Sequence, residues 1–190
     1  MKNMLLIVGL GNPGAAYKST YHNCGFLTLE KLAQKFDAGF NKNECFAQTA
    51  HVFAAGGKAV LAKPQTFMNL SGKSVFALAQ KYKLGREDIV IVYDDVDLPI
   101  GTLRLRNEGR AGTHNGMKDI VERIGTSEFK RVRIGIGSAQ EPAMQLSDFV
   151  TSKINEENAA VLSKTFDTAA EALFRFCHGE DFAVLMREYN

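Results

Sequence analysis

The stretch Met4-Leu-Leu-Ile-Val-Gly9 is an uninterrupted apolar run that stops at a glycine. Such a run is typical of a strand buried on both faces, in a parallel or mixed sheet that helices cover. Ile89-Val-Ile-Val-Tyr93 is a second run of this kind, and Val132-Arg-Ile-Gly-Ile136 is predicted as a last strand with glycine punctuation. These segments predict strands of an α/β sheet.

Helical periodicity separates the predicted strands. Apolar residues at helical spacing mark one face of each predicted helix, and a hairpin is indicated by two strand-like runs around Ala-Ala-Gly-Gly. The helices fall at 29–36, 75–82, 117–124 and from Asn155 onward, and the hairpin strands at 46–53 and 58–63. The predicted fold class is α/β, a single domain over residues 1–190 with a mixed twisted β-sheet flanked by α-helices on both faces.

The composition is that of a soluble globular protein. Of 190 residues, 45% are hydrophobic and 23% charged, and no apolar run approaches the roughly 18 residues of a membrane span. Three cysteines are too few for a disulfide framework, and their odd count fits a reducing cytoplasm. We therefore expect a cytoplasmic protein without membrane contact. Since the formal net charge is only +2, any nucleic-acid contact requires a local concentration of charge.

The first strand ends in Gly9-Leu-Gly-Asn-Pro-Gly14, which matches the dinucleotide-binding fingerprint. Pro13 argues against that reading, because it removes a backbone N–H where the fingerprint uses amides to hold a pyrophosphate. Residues 15–23 also have poor helical periodicity. A dinucleotide-dependent oxidoreductase stays open on this motif alone. The alternative is a glycine-rich turn that brings Asn12 close to a site.

Polar segments follow the predicted strands, and sites in open α/β sheets form beyond the carboxyl ends of strands. His22 lies in the first segment, where it is either a helix-start residue or part of a site. Lys63–Gly72 places an amide and two large apolar groups beside a strand end, which suits either a helix cap with core packing or a peptide-binding cleft. These three residues are Asn69, Phe67 and Met68.

Two further segments carry candidate site residues. Asp94, Asp95 and Asp97 end the second apolar strand. They suit a magnesium site, an acid that orients a histidine, or a solvated turn. The glycine-rich loop 107–116 places His114-Asn115 at the start of the following helix. Either Thr113 or Asn115 caps that helix, or the loop contributes to a site.

Positive charge is concentrated between Thr102 and Arg133, where eight basic side chains accompany four acidic ones. Arg104 and Arg106 alternate with leucines on a half-exposed strand and therefore share one face of it. Clustered arginines suit phosphate groups. A solvated face is equally compatible with the charge alone.

Taken together, the motifs resemble those of bacterial peptidyl-tRNA hydrolases. They are GLGNPG at 9–14, TxHNxG at 20–25, KPxTFMNxSG at 63–72, DxDLPxG at 95–101 and GxHNGxKxI at 112–120, followed by RIGIG at 133–137. The resemblance is dense over residues 1 to about 150. It implies hydrolysis of the ester that joins a peptide to the 3′ ribose of tRNA, by a monomer without cofactor or metal. The implied partner is peptidyl-tRNA, contacted at the tRNA acceptor region and the nascent peptide.

The resemblance also implies residue roles. His22 would activate water, and Asp94 would orient His22 and stabilise its protonated form. Three amides would hold the substrate and the attacking water: Asn12, Asn69 and Asn115. The residues that would line the cleft are Tyr17, Phe67, Met68 and His114. The residues that would bind tRNA are Arg104, Arg106 and Arg133.

Two rival functions of other classes stay open beside this one. A non-catalytic RNA-binding paralogue would keep the fold without the chemistry, although the presence of His22, Asp94 and Asn12 weighs against it. A metal-dependent hydrolase would use Asp94, Asp95 and Asp97 as ligands, and chelation of metal ions would test for it.

Overall fold

A computed structural model of the chain describes residues 4–138 and 144–190. Within these ranges the chain forms seven β-strands and six α-helices. The strands are β1 (Met4–Gly9), β2 (Lys42–Glu44), β3 (Ala47–Ala54), β4 (Gly57–Pro64), β5 (Ile89–Asp95), β6 (Leu103–Arg106) and β7 (Lys130–Gly135). The helices are α1 (Cys24–Lys35), α2 (Ser71–Tyr82), α3 (Asn115–Ile124), α4 (Leu146–Thr151), α5 (Glu156–Cys177) and α6 (Phe182–Tyr189).

All seven strands form one sheet in the order β2-β3-β4-β1-β5-β7-β6. Strands β4, β1, β5 and β7 run parallel to one another. The β2–β3, β3–β4 and β6–β7 pairs are antiparallel. The expectation of a mixed sheet is therefore confirmed.

Successive residues of β1 pack on opposite faces of the sheet, because side chains alternate along a strand. Leu5 and Ile7 join a core with α1, α5 and α6, whereas Leu6 and Val8 join a core with α2 and α3. Leu6, Ile7 and Val8 are all fully buried. Each such side chain contributes roughly 1.5–3 kcal/mol to stability. The expectation of helices on both faces is confirmed.

Two elements were not predicted from the sequence. Lys42–Glu44 is a polar edge strand that pairs with β3, and Leu146–Thr151 is a helix of only six residues. The expected hairpin and the helices after Asn155 are present, and the Asn155 side chain caps α5 by accepting from Asn158 N at 2.8 Å. In the described part of the chain, no helix combines the length and the apolar character that crossing a bilayer requires.

β1 and α1 meet backbone to backbone at two glycines. A Cβ added at Gly25 would lie 2.3 Å from Leu10 N and 2.4 Å from Val92 O, and a Cβ at Gly9 would lie 2.3 Å from Gly25 O. Only glycine fits these positions. The glycine-rich turn therefore serves close packing, and α1 begins only at Cys24 rather than directly after the turn. The contact brings the residues that precede α1 against the carboxyl ends of β1 and β5.

Candidate active site

A histidine and a buried aspartate form the centre of the site. His22 lies in the 3₁₀ turn before α1, and Asp94 lies near the carboxyl end of β5. His22 Nδ1 is 3.0 Å from Asp94 Oδ1 and 2.9 Å from Asp94 Oδ2. An ionised carboxylate can only accept, so the proton of His22 lies on Nδ1 and the lone pair of the neutral ring lies on Nε2. Nε2 makes no hydrogen bond to the described residues.

A second imidazole donates to the same carboxylate. His114 Nε2 is 3.2 Å from Asp94 Oδ1, and His114 Nδ1 accepts from the backbone N–H of Met117 at 3.2 Å. Accepting that bond requires a lone pair on Nδ1, so the proton of His114 is fixed on Nε2. His114 is thus the N-cap of α3 as well as a donor to Asp94. Sequence reasoning placed the cap at Thr113 or Asn115, and that placement is wrong because the His114 ring itself accepts from the first turn of α3.

The ionised form of Asp94 is strongly favoured. Burial alone would raise the pKa of this carboxyl, but the adjacent His22 and His114 rings hold the pKa well below its ordinary value. The neighbouring thiol of Cys24 shows the opposite effect, because burial and the charge of Asp94 raise its pKa. A thiol that stays protonated is a poor nucleophile, so the site offers a base and not a cysteine nucleophile.

Contacts on both sides fix the position of His22. On one side Tyr21 is held near α4, with its backbone N donating to Ser152 O at 3.3 Å and its ring 4.8 Å from that of Phe149. On the other side Asn23 accepts from Asn12 N at 2.8 Å and donates to Asn12 O at 3.0 Å. Sequence reasoning identified neither Tyr21 nor Asn23 as a site residue.

The side chain of Asn12 is oriented by the loop that follows β4. Its carboxamide oxygen accepts from the backbone N–H of Met68 at 2.8 Å. Its NH₂ group donates to no partner within the described residues, so it is available to a ligand. A Cβ added at Gly116 would lie 2.6 Å from Met68 Sδ and 3.2 Å from the His114 ring. The segments that carry Asn12, Met68 and His114 therefore meet.

A cavity of about 320 Å³ opens beside the two imidazoles. His22, Asp94, His114 and Asn115 line it on one side, and α4 contributes Leu146 and Val150 on another. The cavity also reaches Arg110 and Arg133. This volume suits a small polar group, and the cavity has both an apolar wall and a basic end.

The other predicted cleft residues differ in their exposure to solvent. Asn69 and Asn115 are exposed, Tyr17 is half-buried, and Met68 is buried. The Phe67 side chain is 57% exposed. Asn115 borders the cavity with His22. The roles assigned to these residues stay predictions.

The three carboxylates at the end of β5 have different partners. Asp94 contacts the imidazoles, whereas Asp95 accepts from Arg133 Nε at 2.6 Å and from Asp97 N at 2.9 Å. Asp97 itself is exposed. The metal-ligand set that the described residues offer is instead His22, Asp94 and His114, whose candidate ligand atoms lie within 4.8 Å of one another. The same atoms form the hydrogen bonds described above.

The predicted basic residues lie at the β6–β7 end of the sheet. Arg104 pairs in register with Arg133, and Arg106 pairs with Arg131. Partial burial would lower the pKa of the Arg133 guanidinium, but the contact with Asp95 raises it. Nothing in the sequence distinguishes Arg131 from the other basic residues of this segment. The structure buries its side chain, which donates to Arg110 O at 2.9 Å and to Ser127 O at 3.0 Å. It therefore fixes the loops on either side of α3.

Comparisons with known proteins cover nearly the whole chain. The family model described as "Peptidyl-tRNA hydrolase" matches residues 6–190. A peptidyl-tRNA hydrolase of Chloroflexus aggregans is 44% identical over 189 residues, which cover 98% of this chain and 99% of the relative. That of Bacillus subtilis is 40% identical over 187 residues, 98% of each chain. A crystal structure of peptidyl-tRNA hydrolase from Acinetobacter baumannii has a TM-score of 0.91 and 34% identity, covering 100% of this chain and 96% of the other.

Proposed function

Because the chain belongs to the peptidyl-tRNA hydrolase family, we propose that it is a carboxylic ester hydrolase acting on peptidyl-tRNA. The ester joins the C-terminal carboxyl of the peptide to the 3′ ribose of tRNA. Its hydrolysis releases a free peptide and a tRNA that can be charged again. Such a substrate arises during translation, so the proposed activity is cytoplasmic.

The observation that carries the proposal is the pairing of His22 with Asp94. A neutral imidazole whose Nδ1–H is bound to a buried carboxylate presents the Nε2 lone pair to solvent in the cavity. An imidazole is a suitable base near neutral pH, and a carboxylate partner stabilises the cation that forms. An aminoacyl ester is an activated acyl group, so this base and one water molecule suffice for the chemistry we propose.

In the proposed reaction, His22 first accepts a proton from water and later returns it to the leaving oxygen. His22 Nε2 takes a proton from water while the water oxygen bonds to the ester carbonyl carbon, which gives a tetrahedral intermediate. The carbon–oxygen bond to the ribose then breaks, and the leaving 3′ oxygen takes the proton back from His22. The free NH₂ group of Asn12 is the donor we assign to the substrate carbonyl, since neutral donors stabilise developing oxyanion charge.

Recognition of tRNA is assigned to the arginines at the β6–β7 end. Arg104 and Arg133 are direct cross-strand neighbours. Like charges at opposed positions destabilise a sheet unless a counter-charge is present. Asp95 supplies that charge for Arg133. We assign the counter-charge of Arg104 to a phosphate of the tRNA acceptor region, which confers affinity without sequence information. Arg106 extends the same basic surface.

The test is release of the N-acetylated amino acid from N-acetyl-aminoacyl-tRNA. We expect His22→Ala to lower kcat by roughly 10²-fold or more, which is the range for loss of a general base. His178→Ala is the matched control, because His178 is an exposed imidazole at the end of α5. The reaction is run with EDTA, and free-amine aminoacyl-tRNA provides a second control.

Three outcomes would contradict the proposal. If the wild-type chain binds the tRNA but releases no product, the non-catalytic RNA-binding alternative replaces it. If His22→Ala is as active as the wild type, the assigned base is wrong even though the reaction is right. Loss of activity in EDTA would support a metal-dependent hydrolase instead.

A further inference from the structure

Four large apolar side chains are exposed on one part of the molecule. Phe46 is 53% exposed, Phe67 57%, Leu70 43% and Phe76 44%. Single exposed apolar residues need no explanation, but a contiguous group often marks a binding surface. We call these four residues, together with Lys73, the phenylalanine surface.

The members of the phenylalanine surface lie next to one another. Leu70, Lys73 and Phe76 are three residues apart, so they form one row where α2 begins. Lys73 Nζ lies 4.0 Å from the centre of the Phe46 ring. The backbone N of Leu70 donates to Phe67 O at 2.9 Å. These contacts join the row on α2 to the tip of the β2–β3 hairpin and to the loop after β4.

The hairpin holds Phe46 in a conformation that a bulky residue rarely adopts. Cys45 has a φ of 49° and Phe46 a φ of 61°, whereas the two positions of such a turn favour Asn and Gly. Glu44, which directly precedes Cys45, fixes the turn. Its carboxylate accepts from Tyr82 Oη at 2.8 Å and contacts Lys81, and both of these residues lie on α2. An apolar ring exposed at a strained turn indicates a use other than folding.

The position of the surface in the sheet indicates its ligand. The turn at Phe46 lies at the carboxyl end of β4, where Phe46 O accepts from Gln65 N at 2.7 Å. Phe67 directly precedes Met68, whose N–H binds the Asn12 side chain. The surface is therefore continuous with the site on the β4 side of His22, and the arginines assigned to tRNA lie on the β7 side.

We propose that the phenylalanine surface binds apolar side chains of the nascent peptide, upstream of the residue whose ester is cleaved. The inference rests on the proposed function. With the ester beside His22 and the tRNA phosphates on β6 and β7, the peptide extends in the opposite direction along the carboxyl edge of the sheet. Peptidyl-tRNA with apolar upstream residues then binds more tightly than peptidyl-tRNA with small polar ones.

The experiment compares three substrates on the same tRNA. One carries an N-acetylated amino acid alone, one adds leucine and phenylalanine residues upstream, and one adds glycine and serine residues instead. For Phe46→Ser/Phe76→Ser we expect KM to rise roughly tenfold with the apolar peptide only, because the lost contact is apolar burial. KM for the other two substrates and all three kcat values stay unchanged.

Phe53→Ser is the matched control. Phe53 is 71% exposed, and Lys58 Nζ lies 5.6 Å from its ring centre, so it repeats the lysine–phenylalanine contact. It lies at the opposite end of β3 from Phe46, away from the site. This variant should leave KM unchanged for every substrate, and thermal unfolding should show that both variants are folded.

Three outcomes would overturn the inference in distinguishable ways. If the wild type cleaves all three substrates with one KM, the surface does not bind peptide although the proposed function holds. If it cleaves none, the proposed function fails and the inference fails with it. If sedimentation shows a wild-type dimer that the double variant cannot form, the surface is an interface between copies of the chain, and both the inference and the expected monomer are wrong.

Discussion

Asp94→Asn is the substitution that most directly tests the proposed mechanism. His22 Nδ1 is almost equally distant from the two carboxylate oxygens, at 2.9 and 3.0 Å. In asparagine one of these atoms becomes an NH₂ group, which donates and cannot accept. The Nε2–H of His114 keeps the remaining oxygen at the Oδ1 position, so the NH₂ group takes the Oδ2 position beside His22 Nδ1. A hydrogen bond with that group requires His22 to carry its proton on Nε2. The lone pair that takes the proton from water is then lost.

The expected loss is large because the base itself is disabled. An aspartate that fixes a histidine tautomer in a serine protease is worth about 10⁴-fold in kcat. We therefore expect Asp94→Asn to lower kcat by roughly 10³–10⁴-fold, or ~4–5.5 kcal/mol of barrier, with little change in KM. His114→Ala should cost far less activity, since it removes one bond of 3.2 Å to Asp94. Its main effect is loss of the α3 cap, worth about 1 kcal/mol of stability.

The assay pairs kinetics with a direct observation of the tautomer. N-acetyl-aminoacyl-tRNA hydrolysis gives kcat and KM, urea unfolding shows that the fold is intact, and ¹⁵N shifts of the His22 ring report which nitrogen is protonated. The reasoning is refuted if Asp94→Asn retains kcat within tenfold of the wild type. It is also refuted if the variant loses activity while His22 keeps its proton on Nδ1.

Three further predictions concern stability and tRNA affinity. Asn23→Ala leaves the buried backbone N–H and C=O of Asn12 unpaired, so urea unfolding should show a loss of roughly 2–5 kcal/mol, and a variant as stable as the wild type would contradict this. Burial would raise the pKa of Glu44, but Lys81 and other donors hold it well below its ordinary value. The stability that its charge contributes is therefore present above the unfolded pKa of about 4.3 and is lost at lower pH. The difference in unfolding free energy between the wild type and Glu44→Gln should accordingly shrink as pH falls from about 5 to 3, and a difference that grows would be evidence against the assignment. Arg104→Ala should flatten the salt dependence of tRNA binding by roughly 0.7–0.9 in log–log slope with kcat unchanged, and an unaltered slope would exclude a phosphate contact.

The sequence predicted the parts of the fold that local patterns determine. β1 and β5 were recognisable because each is an apolar run, and β7 was recognisable as a strand with glycine punctuation. Lys42–Glu44 was not, because nothing in three polar residues indicates a strand. That segment is extended through its local pairing with β3. It is also held by the contacts of Glu44 with Lys81 and Tyr82, which form between residues distant in the sequence.

The same distinction applies to the site. His22 and Asp94 were candidates because their residue types indicate their chemistry. Asn23 and Tyr21 were missed, since each acts through a partner that only the folded chain provides. Asn23 binds Asn12 across the turn, and Tyr21 Oη accepts from Asn158 at 2.6 Å. A helical period or a strand alternation contains no information about such partners.

The contact of Gly9 with Gly25 makes the position of His22 independent of how side chains pack elsewhere in the core. Main-chain atoms set the distance between β1 and the start of α1, and His22 lies just before that start. Trimming a core side chain away from this contact, such as Leu173 on α5, should lower the melting temperature without moving the base, because main-chain atoms make the contact at Gly25. The core can therefore lose stability through substitution while the geometry of the site is preserved, whereas any side chain at Gly25 would displace that site at once.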